Sequence, residues 1–269
     1  MNRDQTLETA LSASMTRMFR SLSHRQIFCF GQNVNVGSYI SGLSSCLRGL
    51  EAENVHIVNN PNIETTLGGI ALGATASTEQ SEPDIAVLFI KQLDFVTLMI
   101  DDLIHTVSQL KAQGSRFSLN LITFQVDSGY EGPQSRLAFG LDLANLIDCN
   151  ISFCASPLGL TETMKRFGED GVNIFLISQR QFKKLNPDTH PFDMRFLSDG
   201  TGVTTVERPK ATMVFLGSSF SHFQSANQKA QEYSYDMSDC DVFRLNVYPW
   251  QHLASVAESV DRSGHVLIF

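Results

Sequence analysis

The sequence predicts an α/β fold: a mainly parallel sheet flanked by helices, followed by a second, smaller α/β domain. Three observations predict it. Short apolar runs alternate with stretches of helical periodicity. Each run is bounded by Gly, Pro, Asn or Asp. After a break rich in Pro, Thr and Gly at 186–210, the strand-like pattern returns.

The N-terminal "MNRDQTLETALSASMTRMF" reads as a polar amphipathic helix. Strands follow at "QIFCFG" (26–31), "NVHIV" (54–58), "DIAVLFI" (84–90), "FSLNLITFQV" (117–126), "ISFCA" (151–155) and "NIFLIS" (173–178). Helices lie between them. Residues 62–76 carry Ile63, Leu67, Ile70, Ala71 and Ala74 on one face. Residues 94–112 do the same with Val96, Met99, Leu103, Val107 and Leu110, and Asp94 is placed as N-cap. "SPLGLTETMKRFGED" (156–170) is a helix with Ser156 as N-cap and Pro157 at its first position. The expected division is a first domain over 1–190, a linker over 191–210 and a second domain over 211–269. In the last, "ATMVFLGSS", "DVFRLNVYPW" and "GHVLIF" are strand-like, and the final strand has apolar faces that need a cover.

Composition excludes several functions. A net charge of -8 argues against a nucleic-acid surface. No apolar run has membrane-spanning length, and the N-terminus does not read as a secretory signal. Five cysteines, with no CxxC pair, read as buried free thiols of a cytoplasmic protein. The histidines form neither HxxxH nor HExxH, so no metal site is expected on this chain. His56, His105 and His222 read as structural or surface residues. Asp101 and Asp102 are adjacent and face different ways, which argues against paired-acid catalysis. There is no GxGxxG after the first strand, no GxxxxGK[ST] and no GxSxG.

One stretch stands out. "NNPNIETTLGGIALGATA" (59–76) sets a single acid, Glu64, at the head of an apolar, small-residue helix. Read alone, it is a first-turn acid that complements the helix dipole. Set among Ile63, Leu67 and small residues, it is also a poorly solvated carboxyl. Gly68, Gly69 and Gly73 permit close approach of another backbone or a ligand.

The order "FCFGQNV", "NVHIVNNPNIETTLGGIALGATA", "LFIKQLDFVTLMIDDLIH", "EGPQSR" resembles the pyrimidine-binding domain of thiamine-diphosphate enzymes. It looks most like the β subunit of two-component 2-oxoacid dehydrogenase E1 enzymes and of split transketolases. "VFRLNVYPWQHLASVAESVDRSGHVLIF" resembles the opening of the transketolase C-terminal domain, here shortened. The likeness covers about residues 25–269.

The resemblance implies a catalytic role for Glu64: a hydrogen bond to the cofactor's aminopyrimidine, which promotes proton removal from the thiazolium ring. It implies that Phe89 and Phe95 stand against the pyrimidine, with Gln92 where relatives carry a stacking aromatic. It places Gln32 at the site lining, where relatives carry an acid. It sets Gln134, Ser135 and Arg136 in a substrate loop that lacks the family's histidine, with Arg136 suited to a carboxylate. The magnesium-diphosphate signature, "GDG" with a later Asn pair, is absent; "SDGTG" (198–202) comes nearest. The resemblance therefore implies an α-type partner subunit that holds the diphosphate and Mg2+, in a heterotetramer of two α-type and two β-type chains acting on a small-molecule substrate. The glycine-rich helix would lie at the interface between them. The implied reaction is cleavage of a C–C bond next to a carbonyl and transfer of the two-carbon or acyl unit, with transketolase-like carboligation favoured. Two alternatives stay open. One is an E1 β subunit passing an acyl group to lipoamide; the other is a non-catalytic assembly subunit.

Overall fold

The computed structural model describes residues 4–61, 63–127, 137–187, 194–197, 201–217, 219–220, 227 and 238–269. Its centre is a seven-stranded sheet. In chain order its strands are β2 (Ile27–Gly31), β3 (Val55–Asn59), β4 (Ile85–Gln92), β5 (Ser118–Gln125), β6 (Asn150–Cys154), β7 (Gly171–Ser178) and a late arrival, β13 (Val247–Tyr248). Across the sheet they run β13-β6-β7-β5-β4-β2-β3. The first six are mutually parallel, and only β13 pairs antiparallel, at the edge. Each predicted strand falls on an observed one. Parallel strands are buried on both faces, so they read as apolar runs and announce themselves.

Alternation along each strand feeds two cores. Ala86, Leu88 and Ile90 of β4 point to one face and join Leu119, Leu121, Ile174 and Leu176. Val87 and Phe89 point to the other and join Ile27, Cys29, Ile122 and Phe175. The second face is covered by α1 (Leu7–Ser21) and α5 (Pro157–Thr163). In α1, Leu7, Leu11, Met15 and Phe19 form a buried stripe at i, i+4 spacing. Its N-cap Thr6 accepts from the Thr9 N–H at 3.1 Å. A short strand before it, β1 (Asp4–Thr6), pairs with β8 (Leu185–Pro187). In α5, Ser156 caps the helix by accepting from the Gly159 N–H at 3.2 Å, with Pro157 at the first position. A 3-10 turn at Met164–Arg166 follows α5, so the regular helix is shorter than 156–170.

The first face is covered by α2 (Glu64–Thr75), by residues 93–112 and by α4 (Leu137–Ile147). Two expectations are corrected here. The inward face of α2 is Leu67, Gly68, Ala71, Leu72 and Thr75, and Ile70 is 42% exposed. The reason is the close approach at Gly68: a Cβ there would lie 3.0 Å from Asp102 Oδ2 and 3.2 Å from the Met99 Cβ. Glycine lets the two segments touch, and that contact sets the rotation of α2. Gly69 donates its N–H to Asp102 Oδ2 at 2.8 Å, while Gly73 faces open space. The second correction concerns 94–112. It runs as a 3-10 stretch (Leu93–Met99), a π turn (Asp102–Thr106) and α3 (Val107–Ala112). Gln92 takes the N-cap position in place of Asp94, because β4 extends to Gln92 and the first turn opens at Leu93. Of the predicted stripe, Val96, Met99, Leu103 and Val107 are buried and Leu110 is half-buried.

The second sheet contains β9 (Arg195–Phe196), β10 (Gly202–Thr204), β11 (Ala211–Leu216), β12 (Cys240–Leu245) and β14 (Val266–Ile268), in the order β14-β11-β12-β10-β9. Two of these strands lie within the stretch expected as linker; they are short and antiparallel, and leave no apolar run to read. Helix α6 (Leu253–Ser263) packs on this sheet. The buried Asp241 carboxylate is matched to it, accepting from Ser259 Oγ at 2.6 Å, Arg262 Nη2 at 2.5 Å and the Val206 N–H at 2.7 Å. The segment from β12 into β13 joins the sheets: the Phe153 N–H donates to the Asn246 carbonyl at 2.6 Å, and the buried Arg244 donates to Ser156 Oγ at 2.9 Å. The edge strand β14 leaves Val266, Leu267 and Ile268 exposed.

Candidate functional site

The strand order locates the site. From β2 the chain passes to β3 on one side, and it returns as β4 on the other. Loops leaving the carboxyl ends of β2 and β4 therefore diverge. In open α/β sheets such a switch point is where ligands bind.

A cavity of about 340 Å³ lies there. Its wall combines three loops: Gln32, Asn33, Ser38, Ile40 and Ser41 after β2, Pro61 and Glu64 after β3, and Lys91 and Phe95 at the end of β4. The volume is at the lower end of small-molecule sites. Glu64 is the first residue of α2 and is half-buried. The helix has no side-chain cap, since Ile63 occupies the N-cap position. The Glu64 carboxylate has no hydrogen-bond or ion-pair partner among the described residues. The dipole of α2 offsets part of the cost of holding that charge.

The floor is glycine by necessity. Gly31 closes β2 with φ +150°, and a Cβ there would lie 2.7 Å from the Phe89 carbonyl oxygen and from Val34 Cγ1. The roof is a turn of unusual backbone: Tyr39, Ile40 and Ser41 all have φ between +49° and +58°. That region is costly for a β-branched residue such as Ile40. The turn is tied down on several sides. Gly42 donates its N–H to the Ser38 carbonyl at 2.9 Å. Ser44 Oγ donates to the Val34 carbonyl at 2.5 Å, and the Val34 N–H donates to Asn59 Oδ1 at 2.9 Å. The Arg48 guanidinium lies 4.6 Å from the centre of the Tyr39 ring. Strain held in place by surrounding bonds is characteristic of binding sites.

The structure brings together four of the residues named from sequence: Glu64, Gln32, Phe89 and Phe95. Phe89 is 2% exposed and belongs to the core under α1, so it contributes floor rather than a free ring face. Phe95 is half-buried. Gln92 does not line the cavity; its neighbour Lys91 does. Gln134, Ser135 and Arg136 lie outside the described residues. Sequence reasoning missed Asn33, Ser38, Ser41 and Lys91. Lys91 stood inside the quoted "KQLDF" segment, and only the fold of β4 assigns it to the cavity.

The thiols take no part. Burial pushes Cys46, Cys149 and Cys154 up to about 12 and holds Cys29 well above the ordinary thiol value, so none supplies a thiolate near neutral pH. His105 is exposed and 3.6 Å from the exposed Asp101. Asp102 is used structurally, at Gly69. Among the described residues no group of three or more His, Cys, Asp or Glu is placed to hold a metal ion, and no helix is long and apolar enough to cross a membrane.

No protein-family model matches the chain, and no curated protein matches it by sequence. Solved structures do match. A transketolase variant from Pichia stipitis superposes over 100% of this chain and 39% of its own, with a TM-score of 0.70 and 11% identity. A transketolase from the same organism in complex with sedoheptulose 7-phosphate covers 97% and 37%, with a TM-score of 0.64 and 12% identity. The chain thus spans about two-fifths of the length of the transketolases it matches. At these identities the likeness is one of architecture, and it establishes that this chain has a transketolase-like fold.

Proposed function

We propose that the cavity at the head of α2 holds the aminopyrimidine of thiamine diphosphate. The chain then serves as the β-type subunit of a two-component enzyme that cleaves a C–C bond next to a carbonyl and transfers the two-carbon or acyl unit by transketolase-like carboligation. One observation carries the reading: at the switch point of a transketolase-like sheet, a lone carboxylate, Glu64, faces a small cavity with no protein partner among the described residues. A carboxylate so placed is an acceptor waiting for a donor, and an aminopyrimidine nitrogen that shares a proton suits it. Phe95, Ile40 and Leu67 supply apolar wall against a flat ring and exclude water. Gly31 keeps the floor open.

When bound, thiamine diphosphate supplies the electron sink that cleavage next to a carbonyl needs. This chain's part is to hold and orient the ring and to keep a proton shared at the Glu64 carboxylate. The diphosphate and Mg2+ fall to an α-type partner in a heterotetramer. The exposure of Ile63 and Ile70, apolar side chains at the head of α2 and along it, supports a partner surface there.

The test is turnover of a 13C-labelled ketol or 2-oxo acid by the assembled complex. The expected result is activity that requires thiamine diphosphate and falls about 10²–10⁴-fold in Glu64→Gln. Transfer to an aldehyde supports carboligation, and transfer to lipoamide replaces it with the dehydrogenase reading. Undiminished turnover in Glu64→Gln overturns the role given to Glu64.

A further inference from the structure

Two parts of the cavity wall come from different segments. Glu64 opens α2, and Phe95 lies in the run that follows β4. The N-terminus of α2 has no side-chain cap. Its first turn is closed at the Ile63 carbonyl, which accepts from the Thr66 and Leu67 N–H groups at 2.9 and 3.2 Å. Those bonds shape the helix but do not fix its place on the sheet.

The fixing contact lies one turn further on. Gly68 follows Glu64 by four residues and so shares its face of the helix. There α2 meets Asp102. The Gly69 N–H donates to Asp102 Oδ2 at 2.8 Å. A Cβ at Gly68 would lie 3.0 Å from that oxygen and 3.1 Å from the Asp102 Cβ, so the carboxylate reaches bare helix backbone. The Thr106 hydroxyl donates to Oδ1 at 3.4 Å and steadies the carboxylate from its own turn. The core side of α2 is otherwise apolar, with Leu67, Ala71 and Leu72. Apolar packing has no direction, whereas a hydrogen bond to a carboxylate fixes a distance and an angle.

Asp102 belongs to the same run, 93–112, as Phe95. It opens the π turn Asp102–Thr106. Such turns are rare inside helices and recur at functional sites. Its neighbour Asp101 has an exposed side chain 3.6 Å from His105, so of the two acids it is Asp102 that is turned to α2. One segment thus carries both an aromatic of the cavity wall and the acceptor that holds the helix of Glu64.

We infer that Asp102 is a positioning residue of this site. Its bond to the Gly69 N–H sets the rotation and axial place of α2, and thereby the gap between Glu64 and Phe95. Asp102 does not line the cavity and acts through α2. The inference rests on the thiamine reading for what fills the gap, and on the contacts alone for the gap itself.

The experiment reads the gap with and without ligand. The amide signal of Glu64 and the ring signals of Phe95 are recorded in the free chain, which is then titrated with 4-amino-5-hydroxymethyl-2-methylpyrimidine. Asp102→Ala is expected to move both sets of signals and to weaken pyrimidine binding about ten- to a hundredfold. Asp102→Asn keeps an acceptor oxygen for Gly69 and restores both. Val107→Ala, a cavity-forming change in the same run, lowers the melting temperature and leaves both readouts in place. Asp102→Ser, whose hydroxyl stops one bond short of Gly69, takes the place of Asp102→Ala if that variant does not fold. Glu64 and Phe95 signals unmoved in Asp102→Ala, or moved as far by Val107→Ala, overturn the inference. So does an Asp102→Asn that behaves as Asp102→Ala, or an affinity unchanged in Asp102→Ala. If the wild-type chain does not bind the pyrimidine, the thiamine reading fails, and the signals of the free chain alone decide the role of Asp102.

Discussion

Gly31→Ala tests the cavity floor in atomic detail. Gly31 ends β2, pairs with Asn59 of β3, and accepts from the Asn60 N–H at 3.1 Å, so its backbone is held on one side. On the other side a Cβ meets the Phe89 carbonyl oxygen and Val34 Cγ1, each at 2.7 Å. The carbonyl belongs to a central strand and cannot swing away as a side-chain tip does. Two costs add. A φ of +150° suits glycine and costs alanine about 1–3 kcal/mol. Overpacking against fixed neighbours costs about 1–3 kcal/mol more. A total near 4 kcal/mol lowers the melting temperature by about 8–16 °C in a domain of this size. Thermal unfolding followed by circular dichroism reads it directly. The added methyl also lies 3.3 Å from Cδ1 of Ile40 in the cavity wall, so the proposed pyrimidine binding should weaken as well. A melting temperature within about 3 °C of the wild type would refute the close approach of β2 and β4 at this point.

Other outcomes follow from the same geometry. Gly73→Ala, on α2 with open space around it and no positive φ, stabilises by about 0.5–1 kcal/mol through helix propensity, and urea unfolding should show the gain. The buried thiols make alkaline stability fall. Their folded values, about 12 for Cys46, Cys149 and Cys154, lie above the ordinary 9.0, so the stability they contribute is intact below pH 9 and is lost as pH rises from 9 toward 12. Unfolding midpoints across that range check the sign, and a thiol reagent at pH 8 should label these cysteines only as the chain unfolds.

What was legible in the sequence follows from which interactions decide each feature. The six parallel strands were plain because burial on both faces makes each an unbroken apolar run, as in "DIAVLFI". The stripe Val96, Met99, Leu103 and Val107 was plain for the helical analogue of that reason. The face of α2 was not, because a contact with Asp102, thirty-four positions beyond Gly68, sets its rotation, and no local period records it. Helix α4 was hidden because "LAFGLDLANLI" is apolar at most positions, so no period singles out the buried Leu143, Ala144 and Ile147. Glu64, Gln32, Phe89 and Phe95 were named from the order of motifs, and all four line one cavity. Lys91 was hidden because the expected strand stopped at Ile90, whereas β4 runs on to Gln92 and sets Lys91 on the face of Phe89. The left-handed turn at Tyr39–Ser41 was hidden because Tyr, Ile and Ser do not advertise positive φ.

The central claim is that the cavity around Glu64 is the seat of an aminopyrimidine. The most direct measurement is a titration of the chain with 4-amino-5-hydroxymethyl-2-methylpyrimidine, followed by amide and aromatic chemical shifts. Saturable shifts centred on Gly31, Glu64 and Phe95 are expected, with binding lost in Glu64→Ala. Shifts centred instead on the larger cavity around Phe117, Asn145 and Val172, or binding unchanged in Glu64→Ala, would contradict the claim.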